Sequence, residues 1–189
     1  MVIDRLFRAF PEIESGRLAL REIEDRHLDG VYELYSNEKV FEYCGILPKN
    51  NRATLKTMIG RFSRDFQKKS RVKWGIFYSD DPNSLLGIIE VFEIHQKVNA
   101  VTLGYYLSES RWGQGIASEA VGLVVRFLFQ QVKVNRIQAE VMPGNGASKR
   151  VLLRNGFKYE GTLRQAALWS GQGIVDLEIY GLLLEEYAL

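Results

Sequence analysis

Between Leu103 and Val141 the chain reads LGYYLSESRWGQGIASEAVG, continues through an apolar segment, and closes on RIQAEV. An aromatic, strand-like segment gives way at Gly113 and Gly115 to a stretch in which Val121, Val124, Val125, Leu128 and Val132 share one helical face. RIQAEV then alternates like a second strand. Strand, helix, strand in that order implies a parallel crossover, which commits the fold to a sheet with at least one parallel pair and a helix laid across it.

The glycine pair at the end of the first strand has two readings. Glycine adopts positive φ without a Cβ penalty, so the pair makes a tight turn. At a helix start the same turn lets a ligand approach the backbone. The N–H groups of Gly113, Gln114, Gly115, Ile116 and Ala117 can then converge on a pyrophosphate, helped by the positive end of the helix dipole. The spacing excludes a dinucleotide fingerprint, because Ser118 stands where its third glycine belongs, and no phosphate loop ending in Gly-Lys-Ser/Thr is present.

The flanking sequence fills in the sheet. GRLALREI alternates Leu18 and Leu20, and Asp25 is the expected N-cap of a helix carrying Leu28, Val31, Leu34 and Tyr35. Leu55, Met58, Ile59, Phe62 and Phe66 follow helical spacing and are expected to pack in the core. RVKWGIFY, LLGIIEVFEI and AVTLGYYL are linked by the short turns SDDPNS and HQKVN, an antiparallel meander. ASKRVLLRNGF gives a short helix ending at Gly156 as C′ residue, and IVDLEIYGLLL alternates over its first half like a strand. The expected class is α/β of the α+β type, with a mixed central sheet flanked by helices.

Bulk properties exclude several partners. The 189 residues, 46% hydrophobic and 25% charged, fit one globular domain, and a formal net charge of +2 is too small to argue for nucleic acid or an anionic membrane. Cys44 is the sole cysteine and the histidines are His27 and His95, so neither an internal disulfide nor a multi-cysteine metal site is available, and no metal site is expected. Apolar runs fall short of the roughly 20 residues that span a bilayer, and the start shows no signal-like apolar centre. A cytoplasmic, soluble protein is expected, with residues 1–15 as a docked N-terminal arm.

WGQGIASEA followed by NGASKRVLLRNGF resembles the GNAT acetyltransferases, and in particular their RimJ/RimL-like branch, over about Gly16 to Tyr187. The resemblance implies an acetyltransferase domain over residues 16–187 and acetyl-CoA bound in an opening between two neighbouring parallel strands, here VTLGYYL and RIQAEV. The family pattern is Q/R-x-x-G-x-G/A; Gly115 and Ala117 match it, while Trp112 stands where Gln or Arg is usual, as is familiar in this branch. Asn145 corresponds to an asparagine near the pantetheine arm, though a residue in PGNGAS also serves a turn. Ser148 corresponds to a serine near the cofactor sulfur, though it also suits a helix start. Many relatives place a tyrosine acid where this chain has Leu152, which leaves Ser148 as the candidate acid. Asp176 and Glu178 fall on a closing strand near the acceptor pocket, where alternating acids are also explained by solvation.

Acetyl transfer from a thioester needs a neutral amine, a donor for the developing oxyanion, and a proton or hydrogen bond for the departing thiolate. An α-amino group is roughly a tenth neutral at pH 7, against a few parts in ten thousand for a lysine amine, so a protein or peptide N-terminus is the first acceptor class. Polyamines, aminoglycosides and amino acids are the small-molecule alternative, and a catalytically silent acyl-CoA sensor is the other; monomer and homodimer both stay open. Glu90 and Glu93 lie on GIIEVFEI, a strand whose counterpart in the family it resembles borders the acceptor site. Their parity differs, so one at most faces inward, and Glu90, amid apolar neighbours, is the expected base. Leu107 is expected to offer an unpaired backbone N–H to the oxyanion. Cys44 has no histidine near it in sequence and is not expected to carry an acyl group.

Overall fold

Val72, Trp74 and Ile76 place the first strand of the meander at the centre of the molecule. In the computed structural model, which describes residues 2–187, β3 (Val72–Tyr78), β4 (Gly87–His95) and β5 (Ala100–Leu107) run antiparallel, with Val72 opposite Val91 and Ile89 opposite Tyr105. The alternation in RVKWGIFY suggests one wet face. In the structure β3 is buried on both faces from Val72 to Phe77, because helices cover the sheet front and back.

The front face carries α4 (Ile116–Phe127), extended by a π-helical turn at Leu128–Val132. Val121, Val124, Leu128 and Val132 pack there on Trp74, Ile76, Leu103 and Ile137. The back face carries α1 (Leu28–Ser36) and α3 (Arg52–Gln67), whose Val31, Leu34, Leu55, Ile59 and Phe62 pack on Phe77, Ile88 and Tyr106. The short α2 (Glu38–Phe41) adds Val40 and Phe41 to this second core.

The crossover lies where the sequence places it: β5 pairs in parallel with β6 (Arg136–Val141), the sole parallel pair of an eight-stranded sheet ordered β1-β2-β3-β4-β5-β6-β8-β7 among the described residues. β1 (Ile13–Glu14) pairs with β2 (Leu18–Glu22), and Ile3 and Leu6 of the 3-10 turn Val2–Phe7 are buried in the front core. Met1, the first residue of the expected arm, lies outside the described residues. α5 (Gly146–Arg154) ends as expected. Gly156 has φ +85° and its N–H donates to Leu153 O (3.1 Å), while Phe157 N–H donates to Leu152 O (3.1 Å), which closes the last turn.

Two local expectations are corrected. Asp25 is not the cap of α1; a 3-10 turn, Asp25–His27, precedes that helix, and its cap is Glu24, whose backbone N–H donates to His27 Nδ1 at 2.9 Å. The sequence reading also passes over β7 (Lys158–Trp169), which pairs with β8 (Gly173–Leu183) as a long hairpin. At its far end Trp169 packs on Gly45 and Gln172 Nε2 donates to Glu42 O, so the tip closes on the loop after α2. Among the described residues no helix is long and apolar enough to cross a membrane, and no group of three or more His, Cys, Asp or Glu is placed to hold a metal ion.

Candidate active site

β5 and β6 stay paired only from Ala100↔Arg136 to Thr102↔Gln138. Beyond that they diverge, β5 running on to Leu107 and β6 to Val141. Ser108 N–H donates to Leu86 O (2.9 Å) on the β4 side, so strand alternation turns the Leu107 N–H the other way, into the gap, where β6 offers it no ladder partner. The Leu107 carbonyl faces the same side and accepts from Trp112 Nε1 at 3.0 Å. Trp112 therefore ties the glycine turn to the end of β5, a job that neither Gln nor Arg does with an indole's single directed donor.

Gly113 (φ +74°) and Gly115 (φ +76°) are both left-handed, and a Cβ on either meets nothing within 4 Å. The need for glycine is thus in the sign of φ, with open space in front of both residues. Gly115 is the N-cap of α4 and supplies no side-chain acceptor, so the first N–H groups of the helix keep their donors and the positive end of its dipole faces outward. The turn reading and the anion-cradle reading describe the same geometry.

On the opposite wall Asn145 caps α5, its Oδ1 accepting from Ser148 N–H at 3.0 Å. The capping role proposed for Ser148 thus belongs to Asn145, and the Ser148 hydroxyl is left over. It lies 2.8 Å from Tyr105 Oη. A cleft of about 360 Å³ joins these parts, with Leu107, Trp112, Gly113, Gly115, Ile116, Ala117, Asn145 and Ser148 all on its lining. The Gln114 side chain turns away instead: Nε2 donates to Ser110 O (2.9 Å), Oε1 accepts from Tyr78 Oη (3.5 Å), and its carbonyl accepts from Arg17 (3.1 Å).

Several lining residues were not read from the sequence. Arg111, Arg150 and Arg154 bring positive charge to the cleft, Lys39 on its edge is paired with Glu109 (2.6 Å), Glu42 adds one carboxylate, and Tyr105 and Cys44 line it as well. These come from α2, the segment before the glycine turn, and α5, so no single window brings them together. Burial pushes the Cys44 thiol up to about 12, and its Sγ donates to Val40 O at 3.3 Å, so it is held as an inert thiol. Leu152 is fully buried in the front core.

Glu90 is placed differently from its expectation. It is buried on the back face, off the cleft lining, and Oε2 receives both Arg71 Nη1 (2.6 Å) and Lys73 Nζ (3.1 Å). The apolar neighbours visible in GIIEVFEI belong to its own strand; Lys73 comes from directly opposite on β3. The parity argument is also corrected. A bulge between Phe92 and His95, with Glu93 at φ +47°, breaks the alternation. Thr102 Oγ1 donates to Glu93 Oε2 (2.9 Å), and Thr102 shares its strand face with Gly104, which lies opposite Glu90, so both glutamates serve the same face. Asp176 and Glu178 are partnered rather than merely solvated: Asp176 Oδ1 accepts from Gln165 N–H (2.7 Å), and Glu178 pairs with Lys149 Nζ (2.7 Å) and accepts from Tyr180 Oη (3.1 Å).

The donor set suits a phosphorylated, extended ligand: free helix N–H groups, three arginines, an open backbone turn and an unpaired strand N–H along one cleft. Comparison with known proteins agrees. The chain is 34% identical over 173 residues to the uncharacterized N-acetyltransferase YoaA of Bacillus subtilis (strain 168), covering 92% of this chain and 97% of YoaA. It is 26% identical over 175 residues to the ribosomal-protein-serine acetyltransferase of Escherichia coli (strain K12), covering 90% and 95%. A solved structure of RimL, a ribosomal alpha-N-protein acetyltransferase in complex with coenzyme A, shares the fold with a TM-score of 0.81 at 23% identity, over 93% of this chain and 99% of that one. The acetyltransferase (GNAT) domain family matches residues 17–158, the span that holds the splayed strands, the glycine turn and α5, and the chain belongs to that family of N-acetyltransferases.

Proposed function

We propose that the protein moves the acetyl group of acetyl-CoA directly to a primary amine in a ternary complex, with a protein or peptide N-terminus as the acceptor class. The observation that carries this reading is the convergence of the Leu107 N–H, the uncapped start of α4 and the Ser148 hydroxyl on one cleft where β5 and β6 part. Coenzyme A in the RimL structure supports the cofactor, and the ribosomal-protein relative supports the acceptor.

Bound acetyl-CoA supplies the thioester acyl group. The N–H groups from Gly113 to Ala117 hold the pyrophosphate, with Arg111, Arg150 and Arg154 adding charge. Leu107 N–H offers a donor to negative charge developing on the acyl oxygen. Ser148 gives a hydrogen bond or proton to the departing thiolate. Glu90, held between Arg71 and Lys73, has no part as a free base, and this favours an acceptor that needs little help. An α-amino group, about a tenth neutral at pH 7, fits; a lysine side chain does not.

The test is thiol release from acetyl-CoA against peptides with free N-termini, the same peptides blocked at the N-terminus, and small amines. Free N-termini are expected to turn over and blocked ones, even with lysine present, to stay silent. Ser148→Ala is expected to lower kcat about tenfold to a hundredfold with coenzyme A affinity unchanged. Turnover confined to small amines would overturn the acceptor class, and wild-type kcat in Ser148→Ala would remove the acid.

A further inference from the structure

The Ser148 hydroxyl has a side-chain partner from the other side of the cleft. Tyr105 stands on β5 two residues before Leu107, its phenol Oη 2.8 Å from Ser148 Oγ and 3.2 Å from Ser148 O. The serine's own N–H is already given to Asn145 Oδ1. A helical serine left to itself turns its hydroxyl back to the carbonyl four residues earlier and hides its proton there. The 2.8 Å contact to Oγ can run in either direction, whereas Ser148 O can only accept, so the phenol's single proton serves both serine oxygens when Oγ accepts as well. Donating there fills an oxygen lone pair and leaves the serine hydrogen to point at the cleft, which both residues line.

We propose that Tyr105 is the positioning residue of the thiolate-stabilising site: its phenol donates to Ser148 Oγ and thereby directs the Ser148 hydroxyl at the departing sulfur. The proposal rests on the reading of Ser148 given above. No bond to hydrogen breaks in Tyr105. The two hydroxyls form a chain in which the phenol polarises the serine, and such chains are stronger than their separate bonds. Burial pushes the Tyr105 phenol up from its usual value, so it keeps its proton at working pH. Position 152 holds a fully buried leucine, and the Tyr105 phenol on β5 reaches the cleft from the opposite wall.

Steady-state kinetics of Tyr105→Phe, Ser148→Ala and the double variant test it. Tyr105→Phe keeps the ring and its packing; kcat is expected to fall about tenfold while KM for acetyl-CoA and the Kd of coenzyme A stay within about twofold, at the low end of what a positioned donor contributes. The double variant is expected to be no slower than Ser148→Ala alone, since the phenol acts through that hydroxyl. Near-normal kcat in Tyr105→Phe, or defects that multiply, would overturn the proposal and leave Ser148 standing. Wild-type kcat in Ser148→Ala would overturn the Ser148 reading and this proposal with it. Should Tyr105→Phe melt too early to assay, 3,5-difluorotyrosine at position 105 serves instead. Its more acidic phenol is expected to add a descending limb to the kcat–pH profile at alkaline pH, and an unchanged profile counts against Tyr105.

Discussion

Asn145 does two things at one position, and separating them is the sharpest test of the site at the residue scale. Its Oδ1 caps α5, which is worth about 1 kcal/mol, and its amide lies on the cleft where a pantetheine arm is proposed. Asn145→Ala loses both and is expected to be about 1 kcal/mol less stable with a raised KM for acetyl-CoA. Asn145→Asp keeps the acceptor for Ser148 N–H and a favourable charge at the helix start, but removes the amide donor and sets an anion in the cleft. It is expected to melt like wild type and to show a KM for acetyl-CoA at least about tenfold higher, with the acceptor KM little changed. Wild-type KM in Asn145→Asp would reduce Asn145 to a cap. Residues whose role depends on local backbone, such as Gly113, Gly115 and Asn145, are legible in sequence because a turn or cap is encoded within a few positions. Glu90 was misread for the converse reason: its partners are Arg71, 19 positions away, and Lys73 across a strand pair, and Tyr105 meets Ser148 across 43 positions.

Among the elements, those with clean periodicity are readable, and β7, the longest strand, is not. β7 is largely exposed, carries Gly161 at φ +149° and Gln165 at φ +51°, and shifts register twice against β8, so no alternation survives in KYEGTLRQAALW. The start of α1 was misplaced because its entry turn is capped by an imidazole, which no N-cap preference anticipates. That imidazole makes the turn sensitive to pH. His27 Nδ1 accepts the Glu24 N–H (2.9 Å), which only the neutral ring can do and which puts the ring proton on Nε2, between Pro82 O (3.2 Å) and Arg26 Nε (3.3 Å). Burial pushes the His27 pKa down, and neighbouring Arg26 pushes the same way, with the Pro82 carbonyl and Glu24 opposing. Below about pH 6.5 the unfolded chain therefore binds a proton that the folded chain refuses, so stability is full above that pH and falls as pH drops through it. Urea midpoints between about pH 7.5 and 5.5, above the carboxylate range, are expected to decline for wild type and to stay flat for His27→Asn. Equal slopes in the two proteins would mean that His27 does not titrate with folding.

The whole molecule is two sheet halves joined edge to edge along three register pairs of β5 and β6, with α4 packed over the seam. Past Thr102 and Gln138 the seam opens into a wedge whose walls are strand edges, so an extended ligand lying in it takes the place of the missing ladder. Acetyl-CoA bound there, as proposed, would brace one half against the other. Acetyl-CoA at about 100 times its Kd is expected to stabilise the fold by about 2.7 kcal/mol, raising Tm by roughly 5–11 °C at the usual 2–4 °C per kcal/mol for a chain of this size. A melting shift alone does not locate the ligand. A second cavity of about 410 Å³, lined by Glu33, Asn37, Ser108 and Glu109, shares Val40 with the cleft. It lacks the glycine turn and the three cleft arginines, its Glu109 is already paired with Lys39 (2.6 Å) and its Glu33 repels phosphate, so acetyl-CoA is expected to leave it untouched. Amide hydrogen exchange separates the two. A rise in global stability slows every amide that exchanges only through complete unfolding, whereas amides that exchange by local opening respond to contact. Added protection in that second class is expected at Leu103–Leu107, Gly113–Ser118 and Ala139–Val141, the three segments facing the wedge, with the locally exchanging amides of α1 and α3 unchanged on the far face. Protection centred on Glu33, Asn37 and Glu109 instead would place the cofactor outside the wedge and remove the basis for assigning Leu107 and Ser148 any part in the chemistry.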